Sequence, residues 1–338
     1  MSHRAAQESG AVVEESPSTA LRIDRLSMSV RREGEDRPLL AEVSLQVSAG
    51  ETVGLVGESG SGKSLTSRAA LGLFPRRARI GGQVRVRDQE VIGASRREIV
   101  RVRRQLAAMV FQDPRASVNP VCRIGDFVTE GVRASGRSRA QSAARAIELL
   151  AEVGIRDPER ALRAYPHEFS GGMLQRVMIA AALMGDPALL LADEATTALD
   201  VTTQAEVMGL LRRMQRSHGA GTLLVTHDLD LAAATCDRIY VMYAGRIVES
   251  ATSSDLFASP RHPYTRALLS SSPSVRGPKR ELRPIAGRPL ALVDAPPGCA
   301  FRDRCPDAID RCGDSVPRLR EVGASRTACV RAGGEETA

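Results

Sequence analysis

An α/β fold, with a parallel sheet around a phosphate-binding loop, is what the sequence predicts, and three observations carry that expectation. The first is Gly57-Glu58-Ser59-Gly60-Ser61-Gly62-Lys63-Ser64, which follows the apolar run Val53-Gly54-Leu55-Val56 and leads into a helical pattern. Strand, glycine turn and helix in that order point successive backbone N–H groups at one concavity. The helix N-terminus and Lys63 add positive charge there, and Ser64 offers a hydroxyl to Mg²⁺. The second is that three later apolar runs end on polar residues in the same manner: Gln112 after residues 107–111, Asp193 and Glu194 after 188–192, and His227 after 222–226. Open α/β sheets bind ligands at the carboxyl ends of their strands, so these residues are expected at one edge. The third is a helical stretch between those strands, where Ala143, Ala144, Ile147, Leu150 and Ala151 recur at helical spacing and Gly154 suits the end. The plainer reading of the first loop is a glycine-rich turn without ligand. Its full G-x-x-x-x-G-K-S spacing in a strand–helix setting argues instead for a nucleoside triphosphate.

Bulk composition sets limits around this. With 338 residues, 43% of them hydrophobic, the chain can bury the core of one large or two modest domains. Its formal net charge of +7 suggests acidic partners, yet lysine occurs only at Lys63 and Lys279 and the arginines are spread along the chain. Aromatic residues make up 3%, too few for base stacking, so no nucleic-acid partner is expected. No run reaches the roughly 18 apolar residues of a membrane span, and residues 1–20 lack the apolar centre of a signal peptide. The expectation is a cytosolic chain that meets a membrane only through a partner.

In chain order, residues 1–18 have no periodicity and read as a disordered leader. Residues 21–30 and 39–47 alternate around a charged turn at 31–37, which predicts a small antiparallel sheet ahead of the phosphate loop, placed to lie over an adenine. After the loop, residues 65–73 continue as helix toward Gly72 and Pro75, 82–92 return as strand and turn, and 95–105 read as a basic helix. Gln112 reads equally as a metal and water contact or as a solvated loop glutamine. Phe169-Ser170-Gly171-Gly172-Met173-Leu174-Gln175-Arg176 opens another helix, and its Ser-Gly-Gly start offers backbone N–H groups to an anion, or is an ordinary N-cap. Two adjacent carboxylates after the apolar run at 188–192 are costly unless they meet a cation and a water. Asp193 is therefore assigned to Mg²⁺ and Glu194 to general base, with a helix N-cap pair as the alternative. His227 is assigned to the γ-phosphate. Residues 238–249, with Ala244-Gly245 at the turn, read as a hairpin closing a domain over 19–250 whose helical part spans about 113–184.

Taken in this order, the motifs strongly resemble the ATP-binding subunit of an ABC transporter across about residues 20–250. Lys63 and Ser64 fall in its Walker A pattern, Gln112 in its Q-loop, Ser170-Gly171-Gly172-Met173-Leu174-Gln175 in its signature, Asp193 and Glu194 in Walker B, Leu199-Asp200 in the D-loop and His227 in the H-loop. The resemblance narrows through Phe111-Gln112-Asp113-Pro114 with Asn119-Pro120, through Pro166-His167-Glu168-Phe169, and through His262-Pro263-Tyr264-Thr265-Arg266-Ala267-Leu268, to the oligopeptide and dipeptide importer subfamily. It implies a P-loop NTPase core with an antiparallel β subdomain and a helical insert, and two such subunits closing on ATP. The loop at Lys63 of one subunit would then face residues 170–172 of the other. One departure stands out: where the family has an aromatic residue to stack on adenine, the matching position near Val30 is aliphatic.

Residues 251–338 read as a small C-terminal extension, helix-like over 254–269, Arg- and Pro-rich over 272–297, and carrying Cys299, Cys305, Cys312 and Cys329. Disulfides are disfavoured in a cytosolic chain, so four close thiols suggest a metal, either zinc or an iron–sulfur cluster. The pattern Gly298-Cys299-x-Phe301-x-x-Arg304-Cys305-Pro306 resembles the C-terminal segment of the same subfamily, which implies a [4Fe-4S] cluster. Cys122 and Cys236, with apolar neighbours, read as small core residues.

The resemblance implies ATP and Mg²⁺ as ligands, two transmembrane permease subunits, a second ATPase subunit (self or paralogue), and an extracytoplasmic binding protein reached through the complex. It places the chain peripherally on the cytoplasmic face of the cell membrane, driving uptake of short peptides. A nickel or other small-solute importer is the alternative. A soluble ABC ATPase acting on nucleic acid or ribosomes is disfavoured by the single cassette, and a non-hydrolysing partner by Glu194 and His227.

Overall fold

The computed structural model describes residues 19–111, 113–195, 201–271 and 284–332, apart from the side chains of 201–203 and 214. Two sheets organise them. Strands β1 (Thr19–Arg32), β2 (Glu35–Ser48), β4 (Ala78–Val86) and β5 (Gln89–Glu90) form an antiparallel sheet in the order β2-β1-β4-β5. The main sheet runs β11-β12-β10-β9-β3-β8-β7-β6, from β3 (Thr52–Val56), β6 (Ala107–Val110), β7 (Leu189–Asp193), β8 (Gly221–Thr226), β9 (Arg238–Tyr243), β10 (Arg246–Thr252), β11 (Arg320–Val322) and β12 (Ser325–Thr327). Its central pairs, β9–β3–β8–β7–β6, are parallel.

Burial of both faces explains why the central strands read as continuous apolar runs. Leu189, Leu191, Leu223, Val225, Tyr240 and Met242 pack with the antiparallel sheet, while Leu190, Ala192, Leu224, Ile239, Val241 and Tyr243 pack on the helical side. The antiparallel sheet alternates only weakly for a physical reason. Arg25 and Glu42 take positive φ, 46° and 51°, and the β1–β2 register slips beside them, so the inward set steps from Ile23 to Leu26 and from Leu40 to Val43.

Between β6 and β7 lie helices Ile124–Arg133, Arg139–Glu152, Pro158–Arg163 and Gly171–Leu183. Each start after the first is capped by a side chain: Ser138 in a box with Gln141, Asp157 on Arg160 N–H, and Ser170 on Met173 N–H. Val128, Leu149, Leu150 and Val177 fill the space they enclose. The helix expected over 254–269 is two helices, Ser253–Ala258 and Pro263–Ser271. Ser259, which precedes Pro260, leaves the helical region at φ −149°, ψ 67°, and Pro263 lacks the N–H that a continuous helix needs. The tail also contributes a hairpin that sequence patterning did not reveal: β12 pairs antiparallel with β10, Glu249 opposite Thr327. Among the described residues, no helix is long and apolar enough to cross a membrane.

Candidate functional site

The loop after β3 has the shape its glycines permit. Gly57 sits at φ +151°, where an added Cβ would lie 2.1 Å from the Met242 carbonyl oxygen. Gly62, at +104°, would clash with Leu40 and Met242. Side chains at either position would push the loop off the sheet. The helix Lys63–Ala69 begins immediately after Gly62. Lys63 Nζ donates to the carbonyls of Gly57 and Glu58, each at 2.8 Å. Burial lowers the Lys63 pKa, and the carboxylates of Glu194, Asp193 and Glu58 oppose that shift.

Strand β8, beside β3, and β7, beside β8, bring the predicted carboxylates and histidine to the same edge. Ser64 Oγ donates to Asp193 Oδ1 at 2.8 Å, and Asp193 Oδ2 meets Arg68 at 3.3 Å. Neighbouring oxygen ligands of octahedral Mg²⁺ stand about 3.0 Å apart, since each bond is about 2.1 Å, so this hydroxyl–carboxylate pair fits the ion. Glu194 occupies a strained backbone position, φ +50°, and its N–H is anchored on Val225 O at 3.0 Å. Its Oε1 lies 3.8 Å from Nδ1 of His227, which is half exposed at the end of β8. Gln112, Leu199 and Asp200 lie outside the described residues.

The signature residues are placed differently. Ser170 Oγ accepts from Met173 N–H at 3.3 Å, and Ser170 is exposed. Among the described residues, no hydrogen bond or ion pair joins residues 170–172 to the phosphate loop. Val30 is half-buried and pairs with Arg37 and Ala78 in the antiparallel sheet.

Three contributors escaped the sequence reading. Arg68, one helical turn beyond Ser64, pairs with Asp193. Tyr264 Oη accepts the Glu58 backbone N–H at 2.9 Å. Arg304 donates to both Glu58 carboxylate oxygens, at 2.7 and 3.0 Å. Arg68 was available from its spacing on the loop's helix, whereas Tyr264 and Arg304 reach the loop only through tertiary packing.

The metal expected in the tail is not supported. Cys299, Cys305, Cys312 and Cys329 do line one small recess, with His262 and Phe301. Among the described residues, however, no group of three or more His, Cys, Asp or Glu is placed to hold a metal ion. This overturns the expectation of a [4Fe-4S] cluster and leaves zinc without a site. Burial instead favours the neutral thiol, raising the Cys299 pKa and moving that of Cys305 to about 11. The segment is held by packing: Phe301 meets Tyr243 and Tyr264 edge-on, with 5.3 Å between ring centroids in each pair, and Cys299 N–H bonds Cys312 O at 2.7 Å.

Comparison with known proteins agrees with the site. Residues 40–197 match the ABC transporter family and 248–312 match the oligopeptide/dipeptide transporter C-terminal region. A probable peptide ABC transporter ATP-binding protein of Sinorhizobium fredii is 44% identical over 316 residues, covering 92% of this chain and 94% of that protein. An oligopeptide transport ATP-binding protein of Bacillus subtilis is 41% identical over 313 residues, covering 92% and 95%. The oligopeptide transport ATP-binding protein of Mycobacterium tuberculosis is 43% identical over 318 residues, but the chain spans only 52% of its length. Among solved structures, the cassette cbiO1 from Clostridium perfringens superimposes with a TM-score of 0.62 at 26% identity, over 72% of this chain and 92% of that one. A cassette dimer bound to ADP and Pi gives 0.60 at 27% identity, over 69% and 98%. The chain therefore belongs to the ATP-binding proteins of ABC transporters, and its residues 248–312 match the oligopeptide/dipeptide transporter C-terminal region.

Proposed function

We propose that the chain is the ATP-hydrolysing subunit of an ABC importer that takes up short peptides. The observation that carries this reading is the gathering of Lys63, Ser64, Asp193, Glu194 and His227 at one edge of the parallel sheet, beneath a loop of backbone N–H groups. Residues 57–64 bind the β- and γ-phosphates, with Lys63 turning from the loop carbonyls to the anion. Ser64 and Asp193 would hold Mg²⁺, which would supply positive charge against the phosphates. Glu194 takes a proton from the attacking water, and His227, 3.8 Å away, steadies that carboxylate and the γ-phosphate. By their positions in the family's motifs, Gln112 is assigned to the metal and water and Asp200 to the contact with a second cassette.

Each ATP is held between the phosphate loop of one cassette and residues 170–172 of another, identical or paralogous. The exposed placement of Ser170 supports this division. Two permease subunits dock on the helical side. A groove of about 350 Å³ lined by Leu71, Leu73, Phe111, Phe127, Val128 and Met178, with Phe111 and Leu73 exposed, supports that contact. An extracytoplasmic binding protein selects the peptide, and the ATPase sits peripherally on the cytoplasmic face. The names of the relatives favour peptides over nickel as cargo.

Glu194→Gln in the assembled complex tests the chemistry. The expected result is ATP affinity within about two-fold of wild type with turnover reduced at least 10²-fold, a loss within the range for a general base. Normal steady-state hydrolysis would remove Glu194 from its role.

A further inference from the structure

The phosphate loop is gripped from outside the segment that forms it. Glu58, its second residue, is held at three places. Its N–H is bonded by Tyr264 Oη at 2.9 Å, its carbonyl by Lys63 Nζ at 2.8 Å, and its carboxylate by two Arg304 N–H groups at 2.7 and 3.0 Å. Two of those three partners lie far beyond the parallel sheet in sequence, in the C-terminal region.

Arg304 is itself fixed. Its Nε donates to Ala286 O at 2.7 Å, Nη1 to Tyr243 Oη at 3.3 Å, and its guanidinium lies 5.7 and 5.8 Å from the ring centroids of Tyr243 and Phe301. Phe301, Tyr243 and Tyr264 are almost completely buried and pack on one another, so the guanidinium cannot swing away without opening that cluster. The ion pair is well enclosed, with side-chain exposures of 5% for Arg304 and 17% for Glu58. A forked, two-bond pair of this kind holds orientation as well as charge.

An acid in this loop works against the loop's purpose. Glu58 sits among the N–H groups that would receive a polyphosphate, and an uncancelled carboxylate there repels it. We propose that Arg304 is a positioning residue for nucleotide binding: it neutralises the Glu58 carboxylate and, with Tyr264 on the Glu58 N–H, fixes the phosphate loop in its receptive shape, so that the C-terminal region sets ATP affinity. The proposal rests on the nucleotide reading above and adds a role for the tail in it.

The test is calorimetric titration of the isolated full chain with ATP and Mg²⁺ at low and high salt, with thermal melting run alongside. Arg304→Ala is expected to bind about 10-fold more weakly, more so at low salt, and Arg304→Lys to recover part of that loss. The double variant Arg304→Ala, Glu58→Gln is expected to return to within about three-fold of wild type, because removing the stranded carboxylate removes the repulsion. A merely structural role predicts no such recovery. Tyr264→Phe keeps the ring packing, removes only the hydroxyl acceptor, and is expected to lose about three-fold, which keeps the test decisive if Arg304→Ala does not fold. Wild-type affinity in both Arg304→Ala and Tyr264→Phe overturns the proposal, as does a double variant no tighter than Arg304→Ala. Wild-type chain that fails to bind ATP overturns the nucleotide reading itself and the proposal with it, a result visible in the first titration.

Discussion

Two glycine-bearing loops each open a helix in this molecule, and they are finished in different ways. In residues 57–64 the charged side chains and the metal-side serine are tied down: Lys63 on loop carbonyls, Ser64 on Asp193, Glu58 on Arg304. At residues 170–172 the one polar side chain caps its own helix and faces solvent. Backbone N–H groups at a helix start attract anions in both places. The difference lies in support: the first loop is braced by the rest of the chain, and the second is not. That contrast is what the arrangement proposed above requires, in which one cassette binds nucleotide and another encloses it.

The largest expected effect breaks the first loop alone. Lys63→Ala removes the cation beside the phosphates and should weaken ATP binding by the isolated chain at least 100-fold, about 2.7 kcal/mol, measured by titration calorimetry. A loss under five-fold would mean that the backbone cradle suffices and that the ammonium, bonded to the Gly57 and Glu58 carbonyls, stays there when nucleotide arrives.

A second experiment probes what makes the first loop complete. His262 is buried at 1% exposure, and its Nδ1 accepts the Tyr264 N–H at 3.0 Å, which helps to orient the ring whose hydroxyl meets Glu58. Burial, helped by nearby Arg266, depresses its pKa to about 3. Between pH 6.5 and 3 the unfolded chain takes up a proton that the folded chain refuses. Its contribution to stability is thus present above pH 6.5 and declines as the pH falls, by about 1.4 kcal/mol per unit. Urea unfolding across that window should show the decline, and His262→Asn, which keeps an acceptor without a titrating ring, should reduce its slope. An unchanged slope would place the acid sensitivity elsewhere.

The contrast between the loops also marks what the sequence could disclose. Residues 57–64, Asp193, Glu194 and His227 were legible because each follows directly on an apolar run, so local order alone predicts a shared edge. Tyr264 and Arg304 were hidden because nothing local ties residue 304 to residue 58, and the contact exists only once Phe301 has packed on Tyr243. The strand Ser325–Thr327 was missed because it is three residues long and is held by its pairing with β10 and β11. The cysteines were misread because thiol spacing reports proximity but not ligand geometry. They do meet at one recess, yet packing around Phe301 accounts for them without a metal.

The smallest effect is also the one that separates two explanations of Ser170. As an N-cap, its hydroxyl accepts the Met173 N–H and contributes about 1 kcal/mol, so Ser170→Ala should lower stability by that amount whether or not an anion binds there. Ser170→Asp preserves the cap, since aspartate is an equally good N-cap and its charge suits a helix N-terminus. It also places a negative charge where a phosphate from the facing cassette would approach. If residues 170–172 complete a second cassette's site, Ser170→Asp should melt within a degree or two of wild type and bind ATP normally as an isolated chain, while the assembled complex loses ATPase turnover. If the loop is only a helix start, Ser170→Asp will hydrolyse ATP at the wild-type rate. Ser170→Ala would then differ from wild type in melting temperature alone, and the exposed loop would need some other partner to explain its two glycines.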